Sequence, residues 1–286
     1  MQNIIDLNTA YEKCQKLANE HYENFPVAKM VPKAIRKHVA AVYAFARTAD
    51  DIADEEHESI PADSPLRVEN LRKFESQLDL PQEELEPKWA WIFVAVADTI
   101  EKFSIPKQLF KDLISAFAQD VVKKRYTDFP DLLDYCRRSA NPVGRLVLLL
   151  HRINDETLFK YSDDICSALQ LANFWQDMSV DRFKNRIYIP QSDWDGATEE
   201  ELFALHASDR DKKILQFECE RTEDMFKSGE RLVKHLPFLL RLEIKLTLAG
   251  GRTILKKIKS QDYDTLTKRP ALDTFDKIKL LLSAIF

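Results

Sequence analysis

Two short runs in this sequence set carboxylates on a helical grid. In Arg47-Thr48-Ala49-Asp50-Asp51-Ile52-Ala53-Asp54, Asp50 and Asp54 stand four apart. That spacing puts them on one helix face, with Asp51 beside them. In the run from Gln170 to Asp181, Asn173, Asp177 and Asp181 recur every four residues. At about 100° per residue these three spread over only about 80° of one face. Both runs continue apolar stretches, His38 to Ala46 and Ile165 to Ala172. Stacked like charges repel, and an unpaired carboxylate in apolar surroundings is expensive, so each cluster calls for a cation. Arg47 can pair with Asp51, which leaves Asp50 and Asp54 in excess. Ligand sets made only of oxygen suit hard cations such as Mg²⁺. Either run alone reads as well as a solvated face or a charged helix end. Two runs on the same grid move the reading to metal binding.

A di-iron bundle would need Glu-x-x-His pairs. None of His21, His38, His57, His151, His206 or His235 has a Glu three residues before it. Carboxylates rarely enclose Mg²⁺ completely, and phosphate oxygens commonly finish its shell. Arg182, Lys184 and Arg186, followed by Tyr188, come directly after the second acidic run. Arginine suits bidentate phosphate contact. A charged loop without a ligand is the plainer alternative. A diphosphate held by metal and arginine is a good leaving group, and the carbon cation left behind needs apolar and aromatic walls. Phe25, Tyr43, Phe45, Phe174 and Trp175 lie near the acidic runs and are candidates, although aromatics at helical spacing are mostly core.

The elements that must position these residues are helices. Five glycines against twelve prolines leave few tight hairpin turns. Prolines punctuate the helical patterns: Pro26 and Pro32 separate a first helix from one running to about Glu56. Pro61 and Pro65 precede the next, and Asp128 can cap the helix after it. Helical spacing is clear at Leu109, Leu113, Ala116 and Phe117, and at Leu239, Leu242, Leu246 and Leu248-Ala249. Ile187-Tyr188-Ile189-Pro190 is the one strand-like fragment and is too short to found a sheet. The expectation is a single all-α domain over 1–286, of roughly eight to eleven helices.

A hydrophobic fraction of 45% supports a real core, and a net charge of −5 argues against a general nucleic-acid binder. From Arg241 to Phe286, ten Lys/Arg face five Asp/Glu, so this segment is +5 and the remainder −10. Its end, Lys277-Ile278-Lys279-Leu280-Leu281-Leu282, could touch an anionic membrane surface as a peripheral contact. An ordinary amphipathic packing helix is the plainer reading. Cys14, Cys136, Cys166 and Cys219 form no CxxC pair and read as buried thiols of a reducing compartment. No basic-then-apolar leader opens the sequence, and no apolar run is long enough to span a bilayer. The expected location is the cytoplasm.

Three segments carry a resemblance. They are Tyr43 to Asp54, Tyr135-Cys136-Arg137-Arg138-Ser139-Ala140-Asn141-Pro142-Val143-Gly144, and Leu169 to Asp181 with Arg186-Ile187-Tyr188-Ile189-Pro190. In this order and separation they resemble the squalene/phytoene synthase family over nearly the whole chain. The resemblance implies an all-α isoprenoid synthase fold around a central cavity. It implies that Asp50, Asp54, Asn173, Asp177 and Asp181, with Asp51, bind Mg²⁺ and diphosphate. Arg47 and Arg186 would contact the diphosphate, and Gln170 belongs to the same substrate-binding set. Tyr43, Tyr135 and Phe25 would line the cavity, and Gly144 would sit where a helix kinks against the substrate.

Within the family, His21 to Ala28 and Ser139 to Gly144 look most like the hydroxysqualene synthase branch of bacterial hopanoid biosynthesis. Asn24, Asn141 and Glu23 depart from the pattern expected of condensing relatives. That branch ionises presqualene diphosphate, lets the cation rearrange and captures it with water, without a reductant. Asn141 and Asn24 are the candidates for holding that water. Head-to-head condensation to presqualene diphosphate or a phytoene-like product is the alternative, and a non-catalytic scaffold a further one.

Overall fold

The computed structural model describes residues 5–22, 31–54, 64–202, 204, 206–273 and 276. All regular elements among them are helical, with no strand. Backbone packing divides the chain into two compact units: residues 1–122 with 142–155, and residues 123–141 with 156–286.

The first unit holds α1 (Leu7–Tyr22), α2 (Lys33–Asp54), α3 (Pro65–Ser76), α4 (Ala90–Phe103) and α5 (Gln108–Val122), and takes in α7 (Asn141–Leu150) from Pro142 onward. Helix α2 is its axis and packs against α1, α3, α4 and α5. Phe45, fully buried on α2, meets Phe74 at 5.1 Å, Phe110 at 4.9 Å and Phe93 at 5.9 Å between ring centroids. Such pairs add about 0.5–1.5 kcal/mol each beyond the area they bury. Phe45 is therefore core, which corrects its reading as a cavity wall.

A buried polar knot ties α1, α2 and α4. The Tyr11 hydroxyl donates to Asp98 Oδ2 at 2.5 Å and lies 2.8 Å from His38 Nδ1, which is 2.9 Å from Thr99 Oγ1. Ser64 caps α3, with Pro65 in its first turn. From α3 the buried Arg67 reaches back and donates from Nη1 to the Ala53 carbonyl at 2.7 Å. That bond satisfies one of the orphan carbonyls at the end of α2.

The second unit holds α6 (Phe129–Ser139), α8 (Glu156–Asp181), α9 (Glu199–Leu202), α10 (Asp209–Gly229) and α11 (Phe238–Ser260). Asp128 caps α6 as its sequence predicts, accepting from the Asp131 amide at 2.9 Å. Helix α8 is the axis and packs against α6, α10 and α11. Trp175, fully buried, donates from Nε1 to Thr222 Oγ1 of α10 at 2.8 Å. It is core, and it also lines the cleft at the end of α8. Gly229 permits the close approach of α10 to α8: a Cβ there would lie 2.8 Å from the Tyr161 carbonyl oxygen.

On α11 the buried face is Leu240, Leu248, Gly251, Ile254, Leu255 and Ile258. Leu239 is exposed, and Leu242 and Leu246 are only half-buried. The residues whose spacing reads as helical are thus split: Leu248 is buried while Leu239 faces outward. The helix carries two apolar stripes, and periodicity alone does not say which one packs.

Candidate active site

The acidic end of α2 emerges from the phenylalanine core. Arg47 Nη2 pairs with Asp51 Oδ1 at 2.5 Å, as the i, i+4 spacing predicts, and Nη1 reaches Asp50 Oδ2 at 3.5 Å. All three side chains are partly exposed. Tyr43, one turn earlier, is half-buried, and burial raises its hydroxyl above the ordinary tyrosine range. It stays protonated at neutral pH and can donate a hydrogen bond. The Asp54 side chain lies outside the described residues, as do Asn24 and Phe25.

The α8 face is more fully formed. Asn173 is exposed, and Asp177 and Asp181 are half-buried along the last two turns. Burial first, then the Asp177 charge, pushes the Asp181 carboxyl up to about 6. Two stacked carboxylates that resist joint ionisation form a site short of positive charge. The protein supplies one cation that sequence spacing does not reveal. Arg269 donates from Nε to Asp177 Oδ1 and from Nη2 to Asp177 Oδ2, the latter at 3.3 Å. The chain beside it is fixed by Gln176 Nε2, which donates to the Pro270 carbonyl at 2.7 Å.

Past Asp181 a single 3-10 turn, Arg182–Lys184, ends at Asn185 in the left-handed region, φ 55°. Asparagine tolerates that conformation better than most residues. The reversal brings the Arg186 amide to the Asp181 carbonyl at 3.0 Å. Arg125 holds the turn from outside, donating to Asn185 O at 2.6 Å and Asn185 Oδ1 at 2.8 Å and pairing with Glu199. The following residues run extended: Ile187 N donates to Lys124 O at 3.1 Å and Gln191 N to Tyr126 O at 2.8 Å. No strand forms, in line with the fragment's length. Arg221 fixes the far end, bonding Asp193 at 2.8 Å and Glu218 at 2.6 Å.

This course lays Tyr188 flat on Phe174, with centroids 3.6 Å apart and planes 6° from parallel. Tyr126 and Tyr135 complete the cluster, at 5.7 and 6.4 Å from Tyr188. Phe174, Met178, Asp181, Arg186, Tyr188 and Leu202 share one cleft. The acid, the arginine and the aromatic wall proposed from sequence therefore meet there. Tyr135 is 4% exposed and supports this wall from behind. Gln170 is half-buried on α8, before Asn173. Asn141, at the start of α7, is buried, and Ser167 Oγ donates to its Oδ1 at 2.9 Å, which orients the amide. Gly144 lies within α7 and is half-buried.

The donors on α8 are of the type that Mg²⁺ takes. They are all oxygen, and no group of three or more His, Cys, Asp or Glu among the described residues could hold a metal. Mg²⁺ bound through one or two carboxylates, with the substrate's phosphate oxygens and water completing the shell, needs no fuller cage. Arg269 holds the Asp177 carboxylate, so a metal entering there would displace it.

A family model described as squalene/phytoene synthase matches residues 18–276. The hydroxysqualene synthase of Rhodopseudomonas palustris is 36% identical over 245 residues, covering 84% of this chain and 80% of that protein. The hydroxysqualene synthase of Sinorhizobium fredii is 34% identical with the same coverage. Among solved structures, squalene synthase HpnC from Alicyclobacillus acidocaldarius is 36% identical, with a TM-score of 0.82, over 90% of this chain and 95% of that one.

Proposed function

The chain belongs to the squalene/phytoene synthase family, and from that premise we propose that it is a hydroxysqualene synthase, a carbon–oxygen lyase acting on presqualene diphosphate. The observation that carries an ionisation chemistry is the shared cleft of Asp181, Arg186 and the Phe174–Tyr188 stack. The likeness to hydroxysqualene synthases over 84% of the chain supports the choice of substrate.

In this reading Asn173, Asp177 and Asp181 of α8 would hold Mg²⁺ against a diphosphate, and Asp50, Asp51 and Asp54 of α2 are carboxylates of the same type that would also hold Mg²⁺. The metal, when bound, stabilises the charge that develops on the leaving diphosphate. Arg186 and Arg47 each carry a guanidinium suited to diphosphate oxygens. The carbon–oxygen bond breaks with both electrons leaving on oxygen. The cyclopropylcarbinyl cation opens its ring, and water adds through oxygen and gives up one proton. The products are hydroxysqualene and diphosphate, with no net redox change. The Phe174–Tyr188 stack presents π faces to the cation and excludes bulk water. Asn141, its amide oriented by Ser167, holds the reacting water.

The test is product analysis. Purified protein is given presqualene diphosphate and Mg²⁺ without NADPH, and hydroxysqualene with one equivalent of diphosphate is the expected outcome. Consumption of farnesyl diphosphate alone would assign the chain to head-to-head condensation instead. Failure to release diphosphate from either substrate would leave a non-catalytic role.

A further inference from the structure

Phe238 and Leu239 stand side by side at the start of α11, 74% and 45% exposed. Cations surround them. Arg231 and Lys234 are exposed on the 3-10 turn Glu230–His235 that leads into the helix, and Arg241 and Lys245 are exposed on its first turns. On α11, Phe238, Arg241, Leu242 and Lys245 fall at i, i+3, i+4 and i+7, which is one face. Among the described residues, two carboxylates stand near in sequence. Glu230 is engaged by Arg252 at 3.0 Å. Glu243 lies about 140° round the helix from Phe238 and about 40° from Leu239, one turn on, where it is half-buried and burial pushes its carboxyl up to about 7. The buried stripe of α11 is on another side; on this face Leu242 is half-buried and Phe238, Arg241 and Lys245 are exposed.

We propose that this corner, the turn Glu230–His235 with the first two turns of α11, is a docking surface for an anionic lipid bilayer. An exposed aromatic–aliphatic pair ringed by Lys and Arg matches the interface: the apolar side chains enter the headgroup boundary while the cations meet lipid phosphates. A second copy of the chain is a poorer occupant, because a symmetric contact would bring the same cations face to face. No helix among the described residues is long and apolar enough to cross a membrane, so such attachment would be peripheral. Its purpose rests on the proposed function: a substrate with long apolar chains resides in the bilayer, and docking shortens its route.

The experiment is co-sedimentation of the full chain with substrate-free vesicles, of phosphatidylcholine alone or mixed with phosphatidylglycerol, at low and high salt. Wild-type protein is expected to bind only the anionic vesicles and to release them as salt rises. Lys234→Glu with Lys245→Glu should weaken binding at least about tenfold, since each cation near the surface contributes about fivefold. Phe238→Ser with Leu239→Ser should weaken it while keeping the salt dependence. Circular-dichroism melts confirm that both variants fold, and turnover of detergent-dispersed substrate should stay at the wild-type level. Absence of wild-type binding to anionic vesicles at low salt overturns the proposal. So does undiminished binding by both variants, which would move attachment to another segment. Concentration-dependent self-association that Phe238→Ser abolishes would assign the surface to a second copy. Because the vesicles contain no substrate, a failed product assay leaves this result standing, and the reverse also holds.

Discussion

Arg269 grips the Asp177 carboxylate from 92 positions further along the chain, using two of its nitrogens. The acidic face of α8 is therefore already partly neutralised before any metal binds. From repulsion alone, removing Asp177 would be expected to stabilise the metal-free protein. The ion pair reverses that expectation, because Asp177→Ala also strands Arg269. The net effect on metal-free stability should be a small loss, under about 1 kcal/mol for a pair this exposed. Turnover should fall by at least about a hundredfold, the scale of losing charge stabilisation in the transition state. Thermal melts and single-turnover assays check the two halves.

Arg269→Ala probes the same pair from the other side. A metal ion entering at Asp177 must displace the guanidinium. Calorimetric titration of substrate-free protein with Mg²⁺ should show tighter binding in the variant, by up to about fivefold, the equivalent of an exposed ion pair. Unchanged or weaker Mg²⁺ affinity would show that Arg269 does not compete with the metal.

The knot around His38 predicts a pH-dependent stability. Burial, assisted by Lys37, Lys102 and Arg152 and opposed by Asp98, pushes His38 down to about 4. Burial raises the Asp98 carboxyl, but hydrogen bonds from Tyr11 and Lys102 outweigh it and leave Asp98 below its usual range. In both cases the folded protein binds fewer protons than the unfolded chain. The stabilisation is thus complete above about pH 6.5, the ordinary histidine value, and is lost as pH falls from there towards 4. Each proton contributes a slope of at most about 1.4 kcal/mol per pH unit. Urea melts across this window should steepen in wild type and flatten in His38→Gln. Tyr11→Phe should cost about 1–3 kcal/mol, having left buried partners unmet.

The Arg125 clamp on Asn185 makes a kinetic prediction. Arg125→Ala releases the turn that presents Arg186, whose own side chain is untouched. Substrate affinity should weaken about tenfold, the scale of one or two charge-assisted hydrogen bonds. Arg125→Lys should rescue it poorly, because one ammonium cannot reproduce the forked contact with Asn185 and Glu199.

Asn141 and Ser167 bear on product choice. If Asn141 holds the reacting water, Asn141→Ala should shift product from alcohol to elimination hydrocarbons at similar diphosphate release. Ser167→Ala should give a weaker shift in the same direction. Chromatography of the products decides it, and an unchanged alcohol yield would remove Asn141 from that role.

The helices, the carboxylate grids and the Arg47–Asp51 pair were legible in the sequence because each is a local matter of spacing or capping. Asp128 at the start of α6 is the plainest case. What stayed hidden depends on tertiary approach. Arg269 and Arg67 meet Asp177 and Ala53 over distances that no helical period encodes. A faint signal for Arg269 existed in the basic balance beyond Arg241 and in the adjoining Pro270. Phe45 looked like a cavity wall because it neighbours acids in sequence. A helix turns through about 100° per residue, so a neighbour in sequence commonly faces elsewhere. On α11 the adjacent Leu239 and Leu240 differ for a related reason, one 45% exposed and the other 1%.

Helix α8 runs unbroken for 26 residues, from Glu156 to Asp181. Its first half is wedged against Gly229 of α10, and its far end carries the carboxylates. A rod of this kind transmits rotation. A methyl group added at Gly229 would push against Tyr161 and Ile165, several turns from the chemistry, and would re-aim Asp177 and Asp181 together. Evolution can thus tune reactivity through the depth of a helix contact, without altering any group that touches the substrate.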